Sequence, residues 1–474
     1  MAGLRGQFSS KLGFILASAG SAVGIGNVVG FPVMATKNGG AAFLLIYIGF
    51  VAFVCFPVML AEIAMGRASQ KSPVGAFNSL SDNSPWWKKV GGLAVLTPFM
   101  IAVFYTVITV WIAIYTLQCL LGNLDVLANP DTFGSTVSSP TLFIYLIPLM
   151  ALVFFVLSGG VKGGIERAAK IMMPLLVVML LLLVVFVMTL ENSSAGLSYY
   201  LVPDFGKVTS KVVNSAVNHA FFSLSLGMGI LITYGSYFSR SEKMVNATRL
   251  VAVTDTSVAI IAGLLVIPAI FVVNPNVDSS ELSDSSIGMM FSYMPNIFLS
   301  MQEFVGYFGA SVIAFVFFLL IFFAALTSLV SITEIPVAYL VDEKECSRHK
   351  SLAIIAMLML VFIIPASMSL GMVDFFTSFV EYGGVTKSFF DLILDLFYET
   401  VLPLIGFTVC LFVTYRWKRG EFSSEVGLGD EGYKISLLEK YVGLSLGTFI
   451  PLILLAVFAN NVAQIFFAHN LFGF

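Results

Sequence analysis

The 474-residue chain is poor in charged side chains, which make up only 11% of its residues. Soluble domains carry about 25% charged residues, so a folded chain of this size could not cover its surface in water. The net charge of −3 gives no basic field for DNA or RNA. With 58% hydrophobic residues and a mean hydropathy of +0.97, the composition predicts a polytopic membrane protein without a nucleic-acid partner.

Cysteine and histidine are also scarce. Three of the four cysteines, Cys55, Cys119 and Cys410, lie in apolar segments without CxxC spacing, which argues against a disulfide framework. There is no HExxH and no GxxxxGK[ST] motif, which excludes zinc-protease and P-loop chemistry. An intramembrane enzyme would need a nucleophile and a base, and His219 has no paired acid. We therefore predict no enzymatic activity and no catalytic residue.

Long apolar runs dominate the rest of the chain. A membrane-spanning helix needs about 20 mainly apolar residues, and eleven runs qualify, none with a signal-peptide cleavage pattern. They lie near 12–36, 41–65, 91–121, 142–158, 166–190, 212–237, 246–273, 307–339, 351–370, 388–416 and 441–459. The segment after the last run is too short for a twelfth. One transmembrane domain over residues 1–474 is expected.

The positive charges predict the orientation, because cytoplasmic loops carry an excess of Lys and Arg. With the N-terminus inside, 20 of the 24 Lys and Arg residues fall on the cytoplasmic side. The exceptions are Lys37, Lys207, Lys211 and Lys387. Eleven spans then place the C-terminus outside. The longest outer loops are 191–211 and 275–306. Within the second, 289–305 is amphipathic, which suits a lid over an outer vestibule or a solvated connector equally well.

Two spans are interrupted by small and polar residues near mid-depth, at 20–27 in the first and 223–229 in the sixth. Glycine weakens a helix by about 1 kcal/mol per residue, and unwound backbone in a membrane is tolerated only where it lines a cavity. Broken helices at matching positions of two halves, spans 1–5 and 6–10, indicate the midplane site of a secondary transporter. Close glycine packing between helices is the alternative.

The motifs at these breaks resemble those of the neurotransmitter:sodium symporter family, in its bacterial branch, over almost the whole chain. They are AGSAVGIGN at 19–27 with FP at 31–32, NGGAAF at 38–43, Glu62 with Gly66-Arg67, FFSLSLG at 221–227 and AALTS at 324–328. The resemblance implies an all-α, leucine-transporter fold with a 5+5 inverted repeat and broken helices 1 and 6. Repeat one would cover about 8–190, repeat two about 205–416, and an extra eleventh helix about 439–460.

The implied function is sodium-coupled symport of a hydrophobic or aromatic L-amino acid across the cell inner (plasma) membrane by alternating access. A proton-coupled carrier of the same fold is the alternative within transport. It would need a Lys in the apolar interior of the fifth span, which has none. A non-cycling amino acid sensor is the alternative outside transport.

The resemblance also implies two sodium sites. The first would use oxygens of Gly20, Val23, Ala324, Thr327 and Ser328, although the Thr-Ser pair could instead bond back to its own helix. The second would use Ala22, Asn27, Ser223 and Asp255. Glu62 would hold amides freed by the break in the sixth span.

Asp255 stands where many relatives have Asn, and an acid inside an apolar span is a functional candidate by default. A protonated, hydrogen-bonded structural Asp is the alternative. Chloride-dependent relatives place Ser where this chain has Ala259, although they share Tyr47. Because the charge of Asp255 could replace the anion, we predict transport without chloride.

The amino acid site is implied at the same breaks. Gly24 replaces the aspartate with which monoamine transporters bind an amine, so the substrate supplies its own carboxylate. The apolar pocket excludes a charged substrate side chain. The expected residues are Ser21, Ala22, Gly24, Ile25, Gly26, Ile101, Tyr105, Phe222, Ser223, Ser225, Met228, Ser328 and Ile332.

Gates are expected on both sides of this site. Inside, Arg5 and Asp342 match a family ion pair, with Ser236 and Tyr237 beside it; two solvated loop charges are the alternative. Outside, Phe222 and Tyr105 match an aromatic lid. The family's outer arginine is replaced by Gly30, and its acid would be Asp395 or Asp391. In the fifth span, Gly164 and Pro174 predict local unwinding or an ordinary kink.

Overall fold

The computed structural model describes residues 6–273, 286–430, 432–469 and 471; Arg5 lies outside them. Within these ranges the chain is almost entirely helical. In the part of the chain that the structure describes, eight helices are long and apolar enough to cross a membrane. They are Ala41–Ser69, Pro85–Leu120, Val161–Met188, Met244–Val273, Gln302–Glu343, Arg348–Met368, Phe389–Arg416 and Leu437–Phe467.

Two bent helix pairs account for two more of the predicted spans. Lys11–Ala22 and Gly26–Lys37 meet at 57°, and Pro130–Val137 and Leu142–Ser158 meet at 71°. The sixth span consists of Ser210–Ser223 and Ile230–Gly235, separated by six non-helical residues. All eleven predicted runs thus correspond to helical segments. Several helices extend past the predicted limits because their charged end turns, as at Pro85, lower the hydropathy without ending the helix.

Shorter elements connect the spans. The helices are Pro73–Ser79, Leu124–Leu127, Ser193–Leu201, Phe205–Lys207, Ser286–Gly288, Met294–Ser300, Asp374–Thr377, Arg419–Val426 and Tyr433–Ile435. Strands β1 (Val380–Tyr382) and β2 (Val385–Lys387) form an antiparallel hairpin before the tenth span. Wider, π-helical turns occur at Gly26–Gly30, Val51–Cys55, Val161–Glu166, Met289–Tyr293, Leu394–Val401 and Phe412–Arg416.

The first span breaks where the sequence predicts. Val23 leaves the helix with φ −67° and ψ 98°, and the chain resumes a helical path at Ile25. Both halves pack against the seventh span, and the first half also packs against the eighth. Because the third span lies along the eighth, the break is enclosed by the bundle. This satisfies the requirement that irregular backbone at membrane depth be shielded from lipid.

The sixth span opens more widely, and positive φ angles mark its unwound part. They occur at Ser225 (54°), Gly227 (76°) and Gly229 (70°). A side chain at position 227 would also clash with its surroundings, since a Cβ there would lie 2.5 Å from the backbone oxygen of Leu402. The amide N–H of Gly227 donates to Glu62 Oε1 at 2.8 Å. Glu62 therefore holds an amide freed by the break in the sixth span, as the sequence predicts.

The amphipathic stretch in the described part of the second predicted outer loop packs onto the bundle. Met294–Ser300 buries Ile297 and Phe298, while Asn296 is exposed. Just before it, the ring of Phe291 lies 5.9 Å from Trp111 and 4.8 Å from Tyr115 of the third span. These aromatic contacts favour a fixed cover over the third span rather than a solvated connector.

The contact between Glu62 and the broken sixth span generates a stability prediction. Glu62→Ala leaves the Gly227 amide without its acceptor, which costs about 1–3 kcal/mol for a buried group. Glu62→Gln keeps an amide oxygen at the same position, so we expect it to lose less than half as much. The apparent melting temperature of the purified variants measures the difference. Equal melting temperatures for both variants and the unaltered protein would contradict this role.

Candidate functional site

The first predicted cation site lies where the first span breaks beside the eighth. Ser328 Oγ donates to the backbone oxygen of Ala324 at 3.0 Å and lies 3.4 Å from that of Val23. Thr327 Oγ1 lies 3.1 Å from the Ala324 oxygen, and a Cβ at Gly20 would lie 3.6 Å from Thr327 Cβ. The fold thus brings all five predicted residues together. Both hydroxyls also donate hydrogen bonds to backbone oxygens of their own helix. To bind a sodium ion they would have to rotate so that their oxygen lone pairs face the ion.

The second predicted cation site is a fully buried polar cluster. Ser223 Oγ donates to Asp255 Oδ2 at 2.9 Å, and Asn27 Nδ2 donates to Asp255 Oδ1 at 2.7 Å. Tyr47, the residue shared with chloride-dependent relatives, donates to Ser223 Oγ at 3.1 Å. Asn27 presents its donor nitrogen here, whereas a sodium ion requires an oxygen. A half-turn of the Asn27 amide would bring Oδ1 to the carboxylate side.

A cavity opens between the two breaks. Every residue predicted for the amino acid site lines it except Ile25. Ile25 contributes backbone instead, because its N–H donates to the hydroxyl of Tyr105 at 3.4 Å. Ser225 Oγ donates to the backbone oxygen of Ser21 at 3.4 Å, joining the sixth span to the first. Apolar side chains and exposed backbone polar groups therefore face one space.

Two further residues line this cavity that the sequence did not indicate, His219 and Tyr398. The ring of Tyr398 stacks on Phe222 at 4.7 Å and 22°. Phe222 is thus covered by Tyr398, whereas the predicted lid paired it with Tyr105. His219 lies among the rings of Phe31, Phe43 and Tyr47, and its Nε2 is buried without a hydrogen-bond partner among the described residues. No motif marks either residue, because contacts between distant segments place them there.

The inner gate residues lie in a network larger than the predicted one. Asp342 Oδ2 accepts from the backbone N–H of Ser72 at 2.8 Å. The Tyr237 hydroxyl donates to Glu334 at 3.0 Å, and Glu334 pairs with Arg348 at 2.7 Å. The Ser236 hydroxyl donates to the backbone oxygen of Thr233. The sequence missed the Glu334–Arg348 pair because Arg348 reaches it from a separate helix.

At the end predicted to face outward, the structure separates the two candidate acids. Asp391 forms a capping box with Ser388 at the start of the tenth span, which is a structural role. Asp395 pairs with Lys387 at 3.0 Å. Asp395 is therefore the acid that takes part in an ion pair at this end.

The fifth span contains no unwound segment between Gly164 and Pro174 in this structure. A π-helical turn at Val161–Glu166 leads directly into the helix Arg167–Met188. A smaller cavity lies where this span faces the first and eighth, beside Thr327. Local unwinding there stays a prediction.

The close approach at Gly24 yields a prediction for the site. A Cβ there would lie 2.9 Å from both Ser328 Oγ and the Tyr105 hydroxyl, so Gly24→Ala must displace one or both. We expect sodium-dependent thermal stabilisation to fall by more than half in this variant. At Gly49 a Cβ meets nothing within 4 Å, so Gly49→Ala is the matched control and should retain the effect. Full stabilisation of Gly24→Ala by sodium would contradict the site.

Comparison with known proteins agrees with this architecture. A family model described as the sodium:neurotransmitter symporter family matches residues 5–129 and 131–470. The uncharacterized sodium-dependent transporter YhdH of Bacillus subtilis (strain 168) is 32% identical over 97% of this chain and 98% of its own length. A similar uncharacterized transporter of Haemophilus influenzae is 28% identical over 97% of this chain and 98% of its own.

Among solved structures, the crystal structure of MhsT in complex with L-phenylalanine superimposes with a TM-score of 0.82 at 36% identity. The match covers 96% of this chain and 99% of that one. It confirms the predicted leucine-transporter fold, whereas the inverted repeat and its limits stay predictions. The chain therefore belongs to the sodium:neurotransmitter symporter family, and it is a sodium-dependent membrane transporter rather than an enzyme.

Proposed function

We propose that this protein carries one large hydrophobic or aromatic L-amino acid together with two sodium ions, by alternating access and without chloride. The supporting observation is the cavity between the two helix breaks. Among the described residues that line it there is no Lys, Arg, Asp or Glu, while backbone polar groups and hydroxyls face it on one side. Such a space suits a zwitterionic head group and an apolar side chain.

The head group would bind at the first break. Gly24 has no carboxylate to pair with an amine, and the space around its Cα is filled by Ser328 and Tyr105. The substrate carboxylate would therefore accept from the Tyr105 hydroxyl and from amides near Gly26, and would contribute to the second sodium site. The amino group would donate to backbone oxygens such as that of Ser21.

The apolar part of the substrate would fill the rest of the cavity. Ile101, Met228, Phe222 and Ile332 supply aliphatic, thioether and aromatic surface. Methionine adapts its shape and contacts aromatic rings favourably through sulfur. These side chains suit an aromatic substrate, and the similar structure of MhsT holds L-phenylalanine. L-phenylalanine is therefore the first substrate to test.

Sodium would drive accumulation. Two sodium ions and a zwitterion carry two positive charges inward, and each charge gains about 2.3 kcal/mol per 100 mV. Proton coupling is less well supported by the fifth span. Its Lys170 forms an ion pair with Glu166 and does not line the cavity beside Thr327. The distribution of Lys and Arg supports a cytoplasmic N-terminus, and the membrane would be the plasma membrane.

The absence of a chloride requirement would follow from Asp255. Its carboxylate is buried beside Asn27, Ser223 and Tyr47, where it supplies a fixed negative charge next to the second sodium site. Ala259, one turn further along the seventh span, has no hydroxyl to bind an anion. A mobile chloride ion would therefore be redundant.

The substrate is tested by thermal stabilisation of purified protein with each of the twenty amino acids in sodium chloride, sodium gluconate and potassium chloride. We expect stabilisation by phenylalanine and a few other large apolar amino acids, in both sodium salts and not in potassium. Equal stabilisation in potassium would contradict sodium coupling. Counterflow in proteoliposomes then separates a transporter, which exchanges labelled substrate, from a sensor, which only binds it.

Chloride independence is tested with Asp255→Asn, which removes the charge and keeps the shape. We expect uptake by this variant to fall about tenfold or more in sodium gluconate, because a lost contact of 1.4 kcal/mol is a factor of ten. Sodium chloride should restore part of the uptake. The unaltered protein should take up substrate equally in both salts. Chloride stimulation of the unaltered protein would refute the proposal.

A further inference from the structure

A charged cluster ties the hairpin to the outer end of the tenth span. Asp395 accepts from Lys387 Nζ at 3.0 Å and from the Tyr382 hydroxyl at 2.8 Å. The Lys387 ammonium lies 5.7 Å from the centre of the Tyr382 ring. Burial, together with the bond to Asp395, raises the pKa of Tyr382 above its usual value. The phenol therefore remains a donor to Asp395 at physiological pH.

The hairpin that carries this lysine is itself anchored. Strands β1 and β2 pair Val380 with Lys387 and Tyr382 with Val385. At the turn, the Gly383 N–H donates to the backbone oxygen of Phe466 at 3.1 Å, and the rings of Tyr382 and Phe466 lie 5.0 Å apart. Lys387 thus projects from a base fixed to the eleventh span, not from a loose loop.

Asp395 and Tyr398 share one π-helical segment, Leu394–Val401. Within it, Thr400 Oγ1 donates to the backbone oxygen of Asp395 at 2.7 Å. One turn after Asp395, Tyr398 faces the amino acid cavity. Its ring stacks on Phe222 and meets Phe104 edge-on at 5.8 Å and 77°. A displacement of Asp395 would therefore shift the ring that covers Phe222.

We propose that Tyr398 is a lid residue of the amino acid site and that Lys387 is the residue that positions it. The Lys387–Asp395 ion pair holds the π-helical segment so that Tyr398 closes on Phe222. The hairpin thereby supplies the positive charge that the first span lacks at position 30, since Gly30 has no side chain to reach Asp395. This inference rests on the proposed function, because the lid covers the proposed substrate.

The surroundings of the ion pair make this contribution measurable. The side chains of Lys387 and Asp395 are 27% and 10% exposed, so water screens the pair less than a fully solvated pair, which contributes little. The Phe222–Tyr398 stack is also partly shielded from water, because both rings pack against the core of the bundle. Their other sides line the cavity. Opening towards the hairpin side requires the stack to separate, so weakening either contact should favour the open state.

Dissociation of bound, radiolabelled L-phenylalanine in sodium tests the lid. We expect Lys387→Met and Tyr398→Ala to release it about tenfold faster, since lost contacts act mainly on the dissociation rate. Lys387→Arg and Tyr398→Phe keep the charge and the ring, and should stay within about twofold of the unaltered protein. The double variant Lys387→Met/Tyr398→Ala should release no faster than the faster single variant, because both act on one lid.

The matched control is Arg419→Gln. Arg419 pairs with Glu439 at 3.4 Å beyond the opposite end of the same span, so its removal tests the general effect of losing an ion pair. This control should leave dissociation unchanged. The proposal is overturned if Lys387→Met behaves like Arg419→Gln, if Lys387→Arg fails to restore slow release, or if the effects of Lys387→Met and Tyr398→Ala multiply.

A second readout does not depend on the substrate. Met228→Cys, in a Cys346→Ser background, places a thiol in the cavity while the remaining cysteines are buried. In sodium alone, Lys387→Met should speed its labelling by a thiol reagent about tenfold, and Arg419→Gln should not. If the labelling rises but phenylalanine does not bind the unaltered protein, the lid stands and the proposed substrate fails. If phenylalanine binds and the labelling does not rise, the lid fails.

Discussion

Backbone that leaves a helix inside a membrane must either find hydrogen-bond partners within the protein or line a cavity, and the rest of this structure follows from that constraint. At the sixth span, Glu62 accepts from the Gly227 amide. At the first, the Asn27 side chain accepts from the Gly24 amide at 3.1 Å. These partners come from side chains, which leaves other backbone groups at the breaks facing the cavity. The site is built from what the broken helices leave unpaired.

The same constraint explains why the polar cluster of the second predicted sodium site can lie beside the mainly apolar cavity. Buried polar groups must be satisfied by one another, so Asn27, Ser223, Asp255 and Tyr47 form one closed cluster. That cluster borders the cavity without placing a bare charge in it. A sodium ion entering there would replace hydrogen bonds with oxygen ligands already at hand. The proposed coupling of ion and substrate depends on this shared wall.

Closure depends on contacts of a different kind. Near Tyr237, the Glu334–Arg348 ion pair joins two helices. At Asp395, an ion pair joins the hairpin to the tenth span, where the ring of Tyr398 stacks on Phe222. Such contacts can separate without unfolding a helix. A transporter that exposes its site to each side of the membrane in turn requires contacts of this kind. In the proposed transport cycle, the breaks would provide the site and the surrounding pairs would control access to it.

The sequence by itself determined the membrane class, the positions of the spans and both helix breaks. Hydropathy and glycine content are local properties of the sequence, so the breaks that contain Gly24 and Ser223 could be identified in advance, whereas Ser328 was indicated by the resemblance to the family. Only the tertiary structure decided that Tyr398 covers Phe222, that Lys387 rather than a first-span arginine meets Asp395, and that Arg348 meets Glu334. These are contacts between segments whose relative placement depends on the packing of the whole bundle, and no single segment encodes them.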